Sequence, residues 1–348
     1  MKPLIGITLG DPAGIGSEIT IKMYANEDIT SICRPIVIGS KVCLEDIKAR
    51  LENTTLQIKS ITNPEQYIED SNIINIIDLN NMTNEDLEYG KVSRKSGRAS
   101  GEYIEKAINL AMDKKIDAII TNPIHKESFK SGGYGEKYAG HTEMLADLTG
   151  TKDYTMMLVA ENLRIVHVTT HVSLRHALDM MKKKRILSVI KIANEACQEL
   201  GIKLPHIGVA GINPHCGDGG MFGTEEIEEI IPAVEEAKAL GFNVTGPVPA
   251  DTVFAMAKGG GFDVVVAMYH DQGHIPCKTI GFQWGPENKG WGAMRGVNIT
   301  FGLPIIRTSV DHGTAFGKAG KGKADYHSLW DAVHYAIRIA ANRAKNSH

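Results

Sequence analysis

The chain has 348 residues, 43% hydrophobic and 23% charged, which is apolar material for two globular domains and too much for a disordered chain. A formal net charge of −3 excludes the broad basic face that nucleic acid requires, although a small anionic ligand needs only a local cluster of Lys and Arg. No apolar run approaches the roughly 20 residues of a membrane helix, and the N-terminal run, broken by Asp11 and Pro12, does not read as a signal peptide, so no membrane partner is expected. The five cysteines (Cys33, Cys43, Cys197, Cys216, Cys277) are odd in number and form no C-x-x-C pair, which predicts a reducing, cytoplasmic location.

In chain order, short apolar runs bounded by turn residues predict buried strands at 3–9, 34–39, 72–78 and 116–121. A helix at 96–115 carries Ala107, Leu110 and Ala111 at helical spacing. A second set follows, with strands at 155–159, 163–169, 205–211, 263–268 and 297–302 and helices at 185–200, 224–240 and 326–344. This alternation predicts an α/β protein with largely parallel sheets. The stretch "GGYGEKYAG" at 132–140 has no apolar period and predicts a boundary. The first domain is then 1–131 with 303–348, and the second is 132–302.

Three histidines follow predicted strands: His171 in "VTTHVSLRHA", His215 in "GINPHCG" and His270 in "VVAMYHDQG". Ligands of open α/β sheets gather beyond the carboxyl ends of strands. Imidazole suits Zn, Fe, Co or Ni, and three ligands leave positions open for substrate. The plainer alternative makes each a surface or hydrogen-bonding residue, and spacing alone does not bring them together. His167, within a strand, and His334, in the last helix, read as structural.

"GDPAGIGSE" lacks both the Lys-Ser/Thr ending of a P-loop and a clean G-x-G-x-x-G, so it reads first as a tight strand-to-helix turn. "AGHTEMLADLTG" puts His141 and Thr142 at a helix start, where free N–H groups favour an anion or where Thr142 simply caps. Lys278 and Arg307 are either anion contacts or ordinary surface charge. The loop 309–325 sets His312, Gly313 and Thr314 among small residues, and is either a bed for a nucleotide or a long connection.

Together, "GITLGDPAGIGSE", "GHTEMLA", "VTTHVSLRHAL", "GINPHCGDGGMFGTEE", "GPVPADT", "AMYHDQGHIPCK" and "GVNITFGLPIIRTSVDHGTAF" resemble the 4-hydroxythreonine-4-phosphate dehydrogenase (PdxA) family. The segment "DHGTAFGKAGKGKAD" is also similar to the adenine-side loop of isocitrate and isopropylmalate dehydrogenases. The resemblance implies their two-domain α/β fold, with largely parallel sheets and a cleft between domains. It implies NAD at His312, Gly313 and Thr314, and a divalent metal (Zn, Mg, Co or Mn) on His171, His215 and His270. It implies that His141, Thr142, Lys278, Asn298 and Arg307 hold a phosphorylated substrate. It further implies a homodimer in which one metal draws ligands from both chains.

Catalysis then rests on Lys278, which brings charge toward phosphate and carboxylate, and on Asp251 and Asp271, which orient a ligand or move the proton. The alternatives are a helix cap for Asp251 and a turn residue for Asp271. The reaction implied is NAD-dependent oxidation of 4-hydroxy-L-threonine 4-phosphate, D-threonate 4-phosphate or D-erythronate 4-phosphate to a β-keto acid that decarboxylates. The chain departs from the family pattern at Gln283–Met294, "QWGPENKGWGAM", a connection that the resemblance makes short in the vitamin-pathway enzymes. This insertion, with Trp284 and Trp291, tilts the expectation toward a sugar acid. The competing readings are a phosphate acyltransferase of related fold and a non-catalytic nucleotide-binding module.

Overall fold

The apolar runs of the first half form strands because each is buried on both faces. Residues 2–51, 54–285 and 290–346 are described in a computed structural model of the chain. The strands are β1 (Leu4–Thr8), β2 (Arg34–Gly39), β3 (Gln57–Ile61), β4 (Ile73–Asp78) and β5 (Ala118–Thr121). β3 has no counterpart in the sequence reading. It is an edge strand in which Gln57, Lys59 and Ser60 are exposed, so it shows no continuous apolar run.

The second half gives β6 (Thr155–Ala160), β7 (Leu163–His167), β8 (Ile207–Ala210), β9 (Val244–Val248) and β10 (Val264–Ala267). β11 (Phe282–Gly285), β12 (Gly290–Met294), β13 (Val297–Phe301) and β14 (Arg307–Val310) complete the set among the described residues.

The chain divides into two units, Met1–Lys152 with Leu303–His348, and Asp153–Gly302. Residues 132–152, read from the sequence as the start of the second domain, thus fall in the first unit. The glycines there serve packing. A Cβ on Gly132 would overlap the backbone of Arg98, and one on Gly97 would overlap that of Ser128, so glycine lets the helices Arg94–Met112 and Lys126–Ser131 touch.

In the first unit the strands run β3-β4-β2-β1-β5-β14, all parallel. In the second the order is β13-β6-β7-β10-β8-β9. β7, β10, β8 and β9 are parallel, but β6 runs antiparallel to both neighbours. Only Glu161 and Asn162 link β6 to β7, and so short a link permits a hairpin but no crossover. Gln283–Met294, the segment expected to be an insertion, forms β11 and β12 together with Phe282, an antiparallel ribbon with Trp284 opposite Trp291. The tryptophan side chains and residues 286–289 lie outside the description.

The core of the second unit fixes the helices that carry the candidate site. Val253 and Phe254 of the helix Ala250–Lys258, and Cys277 of the helix His270–Gly281, pack with Leu158, Ile165 and Val265 of the sheet. Each large apolar side chain buried there contributes about 1.5–3 kcal/mol. Asp251 and His270 are therefore set on rigid supports. No helix is long and apolar enough to cross a membrane, among the described residues.

Candidate active site

In the second unit, β7 and β10 deliver two histidines side by side. Beyond β7, Val168 N and Thr169 N donate to the carbonyls of Ala267 and Met268, holding the strand ends together up to the loop. His171 follows, just before the helix Leu174–Met180, whose N-terminus is capped by Ser173. Beyond β10, His270 opens the helix His270–Gly281. The two imidazole centroids lie 5.6 Å apart. With Thr170, Tyr269 and Asp271 they line a cavity of about 280 Å³.

His270 Nδ1 lies 2.6 Å from Asp271 Oδ1, so Nε2 is its outward nitrogen. That hydrogen bond holds the Asp271 carboxyl below its usual range. A carboxylate on one ring nitrogen is how proteins aim the other at a metal. Behind His270 stacks His274, with ring centroids 3.6 Å apart. His274 Nδ1 donates to the His270 carbonyl at 2.8 Å, and burial pushes its pKa down to about 4, so it is neutral near pH 7. Sequence reasoning missed His274, although its spacing, one helical turn after His270 in "HDQGH", was the available signal.

His215 is presented differently. Its side chain is 68% exposed, with Nδ1 3.9 Å from Asp218 Oδ2. It begins a run of left-handed residues after β8: His215 (φ 52°), Cys216 (58°), Gly217 (79°), Asp218 (47°) and Gly219 (70°). Among the described residues no group of three His, Cys, Asp or Glu side chains is placed to hold a metal ion. Of the three histidines expected at the metal, the fold brings His171 and His270 together.

Asp251 sits in the first turn of the helix Ala250–Lys258. The cap position belongs to Pro249, so Asp251 is not the helix cap, and its Oδ1 accepts from Thr252 Oγ1 at 3.0 Å. Asp251 and Asp271 line the same apolar groove of about 480 Å³. Lys278 follows Asp271 by seven residues, two helical turns, which puts both on one face; its Nζ lies 5.7 Å from the Phe282 ring centre. Asn298, on β13, donates through Nδ2 to Met156 Sδ at 2.6 Å.

The first unit gathers the remaining expected residues into two places. His141 and Thr142 open the helix His141–Leu148, whose cap is Gly140 rather than Thr142. His141 Nε2 is buried without a hydrogen-bond partner, and burial, reinforced by the Arg307 charge, holds the imidazole well below its ordinary pKa. Arg307, 3% exposed, starts β14 and donates from Nε and Nη2 to Thr121 Oγ1, at 3.2 and 2.7 Å. Burial lowers its pKa to about 10, opposed by the Glu143 carboxylate, so it stays charged at neutral pH. A neutral imidazole and a desolvated guanidinium beside a helix N-terminus form an anion-binding arrangement.

The second place is the loop after β14. Thr314 O accepts from Ile15 N at 3.2 Å, which docks the loop on the "GDPAGIG" turn. His312 Nδ1 lies 3.0 Å from Gly313 O, its Nε2 is buried without a partner, and burial lowers its pKa. Phe316 stacks on His125 at 4.4 Å. The turn itself is the tight strand-to-helix connection expected. Asp11 Oδ1 accepts from Ala13 N at 2.8 Å, and a Cβ on Gly16 would overlap the Leu9 carbonyl.

Residues 31–336 match the family described as "Pyridoxal phosphate biosynthetic protein PdxA". The chain belongs to this family. It is 48% identical, over 98% of each chain, to the D-threonate 4-phosphate dehydrogenase of Cupriavidus necator. The structure of a 4-hydroxythreonine-4-phosphate dehydrogenase from Klebsiella pneumoniae is 42% identical, covers 98% of each chain and superposes with a TM-score of 0.85. A terephthalate 1,2-cis-dihydrodiol dehydrogenase from Burkholderia xenovorans is more distant, 27% identical over 97% of this chain and 98% of its own, with a TM-score of 0.65. In this PdxA-family protein the expected α/β fold with a mostly parallel sheet is present, and the motifs that carried the resemblance are those that build the loops described above.

Proposed function

We propose that the protein is an NAD-dependent dehydrogenase that oxidises D-threonate 4-phosphate at a CH–OH group, giving a β-keto acid that loses carbon dioxide. The observation that carries this reading is the 48% identity, over nearly the whole chain, to a relative named for that activity. D-Erythronate 4-phosphate differs from it only in configuration. 4-Hydroxy-L-threonine 4-phosphate is the second reading, favoured by the 42% identity to the Klebsiella enzyme named for it.

The donor set suits a divalent ion. Two imidazoles lie 5.6 Å apart, and one has its Nδ1 occupied by a carboxylate. His171, His270 and His215 would hold the metal. Because no three donors converge within the described residues, a homodimer that shares ligands between chains accounts for the rest of the shell. The exposed Val172, Leu174 and Met180 beside His171, Met221 and Phe222 beyond His215, and Ile275 in the groove supply apolar surface for such a partner. When bound, the metal supplies a Lewis acid at the substrate hydroxyl and NAD supplies the hydride acceptor.

The chain's own residues do the remainder. His141, Thr142 and Arg307 bind the phosphate, the neutral imidazole donating one hydrogen bond and the guanidinium compensating charge. Asn298 orients the substrate. Lys278 adds positive charge toward the carboxylate. Asp271 orients His270, and Asp251 or Asp271 takes the hydroxyl proton. His312, Gly313 and Thr314 lie along NAD. Five cysteines in the free thiol form fit a cytoplasmic location.

The test offers NAD and the three phosphorylated acids side by side and follows NADH absorbance. Fastest turnover of D-threonate 4-phosphate supports the proposal. Preference for the amino acid moves the protein to the second reading. NAD binding with no NADH from any of them points to a nucleotide-binding module.

A further inference from the structure

We propose that Glu226 is the positioning residue for His215. The inference rests on His215 being a metal ligand. Five consecutive left-handed residues, three of them not glycine, are unfavourable by about 1–2 kcal/mol for each non-glycine residue, so the surroundings must impose the turn. Glu226, 1% exposed, lies beneath it. Its Oε1 accepts from Ile212 N at 2.8 Å and Asn213 N at 2.7 Å, and its Oε2 accepts from Asn213 Nδ2 at 2.9 Å. The second Asn213 contact is to Glu225 Oε2, at 2.6 Å.

Both arms of the loop close on this carboxylate. A Cβ on Gly211 would stand 3.3 Å from Oε1, and one on Gly217 would stand 3.0 Å from Oε2. Glu226 also opens a π-helical turn, Glu226–Ile230, where an α-helix was expected from the sequence. Such turns are rare and frequent at functional sites. No Lys, Arg or His forms an ion pair with Glu226 among the described residues. The carboxylate therefore fixes the backbone that presents His215 and leaves negative potential under it, which suits a bound cation.

The test titrates metal-free protein with Co²⁺, read by visible absorption, and measures amide exchange at residues 212 and 213. Wild type is compared with Glu226→Gln and Glu226→Asp. Glutamine turns one oxygen into a donor facing the Asn213 amide. It should weaken Co²⁺ binding at least about tenfold and speed exchange at 212 and 213, while amides of β1 and β2 exchange as before. Aspartate should recover part of both. Wild-type Co²⁺ affinity and wild-type exchange in Glu226→Gln would overturn the proposal alone. Failure of wild type to bind Co²⁺ would overturn the metal reading, and the proposal with it.

Discussion

Two glycine-rich loops, one in each unit, are each pinned by a buried carboxylate, but the two carboxylates are balanced differently. Glu18 is 0% exposed and accepts from Gly322 N and Ala324 N at 3.2 and 2.7 Å. Lys22 stands 3.2 Å from it and donates to the Gly322 and Ala324 carbonyls, so charge and loop are both satisfied within the chain. Glu226 holds the His215 loop with comparable hydrogen bonds and no cationic partner among the described residues. Burying an uncompensated carboxylate is costly. The first loop is thus complete as a structural element, whereas under the proposed reading a bound metal would balance the charge beneath the second.

That difference should show first in catalysis. His215→Ala should lower kcat/KM on the order of a thousandfold, the several kcal/mol that metal charge gives a transition state, with little change in melting temperature. Steady-state kinetics beside thermal unfolding reads both. Near-normal turnover would remove His215 from the metal.

The reverse pattern is expected at the other carboxylate. Glu18→Ala leaves two loop amides without their acceptor and Lys22 without its counter-charge, and should destabilise the protein by about 2–3 kcal/mol, less than a fully buried pair because Lys22 is partly exposed. Denaturant unfolding would measure it. NAD affinity should fall with it, while the Co²⁺ affinity of the folded protein stays at the wild-type level.

A smaller effect concerns protons. His141 in the first unit and His167 in the second are both held below the ordinary histidine pKa by burial, His167 to about 3. The unfolded chain then binds protons that the folded one does not. Stability is fully present above about pH 6.5 and is lost as pH falls from there toward the folded values. Unfolding midpoints from pH 7.5 to 5 should fall, and His141→Phe should flatten the slope. A midpoint that rises on acidification would contradict the burial argument.

The smallest effect is expected at the insertion. Replacing 283–294 by a short link should shift preference among the three substrates by roughly tenfold or less and leave NAD affinity nearly unchanged. A change in NAD affinity alone would show that the ribbon belongs to the cofactor side.

Much of this was legible in the sequence because strands buried on both faces are apolar runs, and the residue after such a run is a loop residue at the sheet's carboxyl end. His171 and His270 were found that way, and they are neighbours in the structure. Arg307 was legible as a basic residue but not as a buried one, because burial there depends on β14 pairing with β5, nearly 190 residues earlier in the chain. Glu18 and Glu226 were invisible for a similar reason. A carboxylate in a charged stretch such as "GTEEIEEI" reads as solvated surface until the loop whose amides it accepts has folded over it. The direction of β6 was likewise hidden, since its apolar run is the same for either orientation.

The most direct measurement follows NADH formation from D-threonate 4-phosphate by chelator-treated enzyme before and after a divalent metal is restored. Turnover should be absent without metal and should recover with Zn²⁺, Mg²⁺, Co²⁺ or Mn²⁺. Undiminished turnover after complete removal of metal would contradict it.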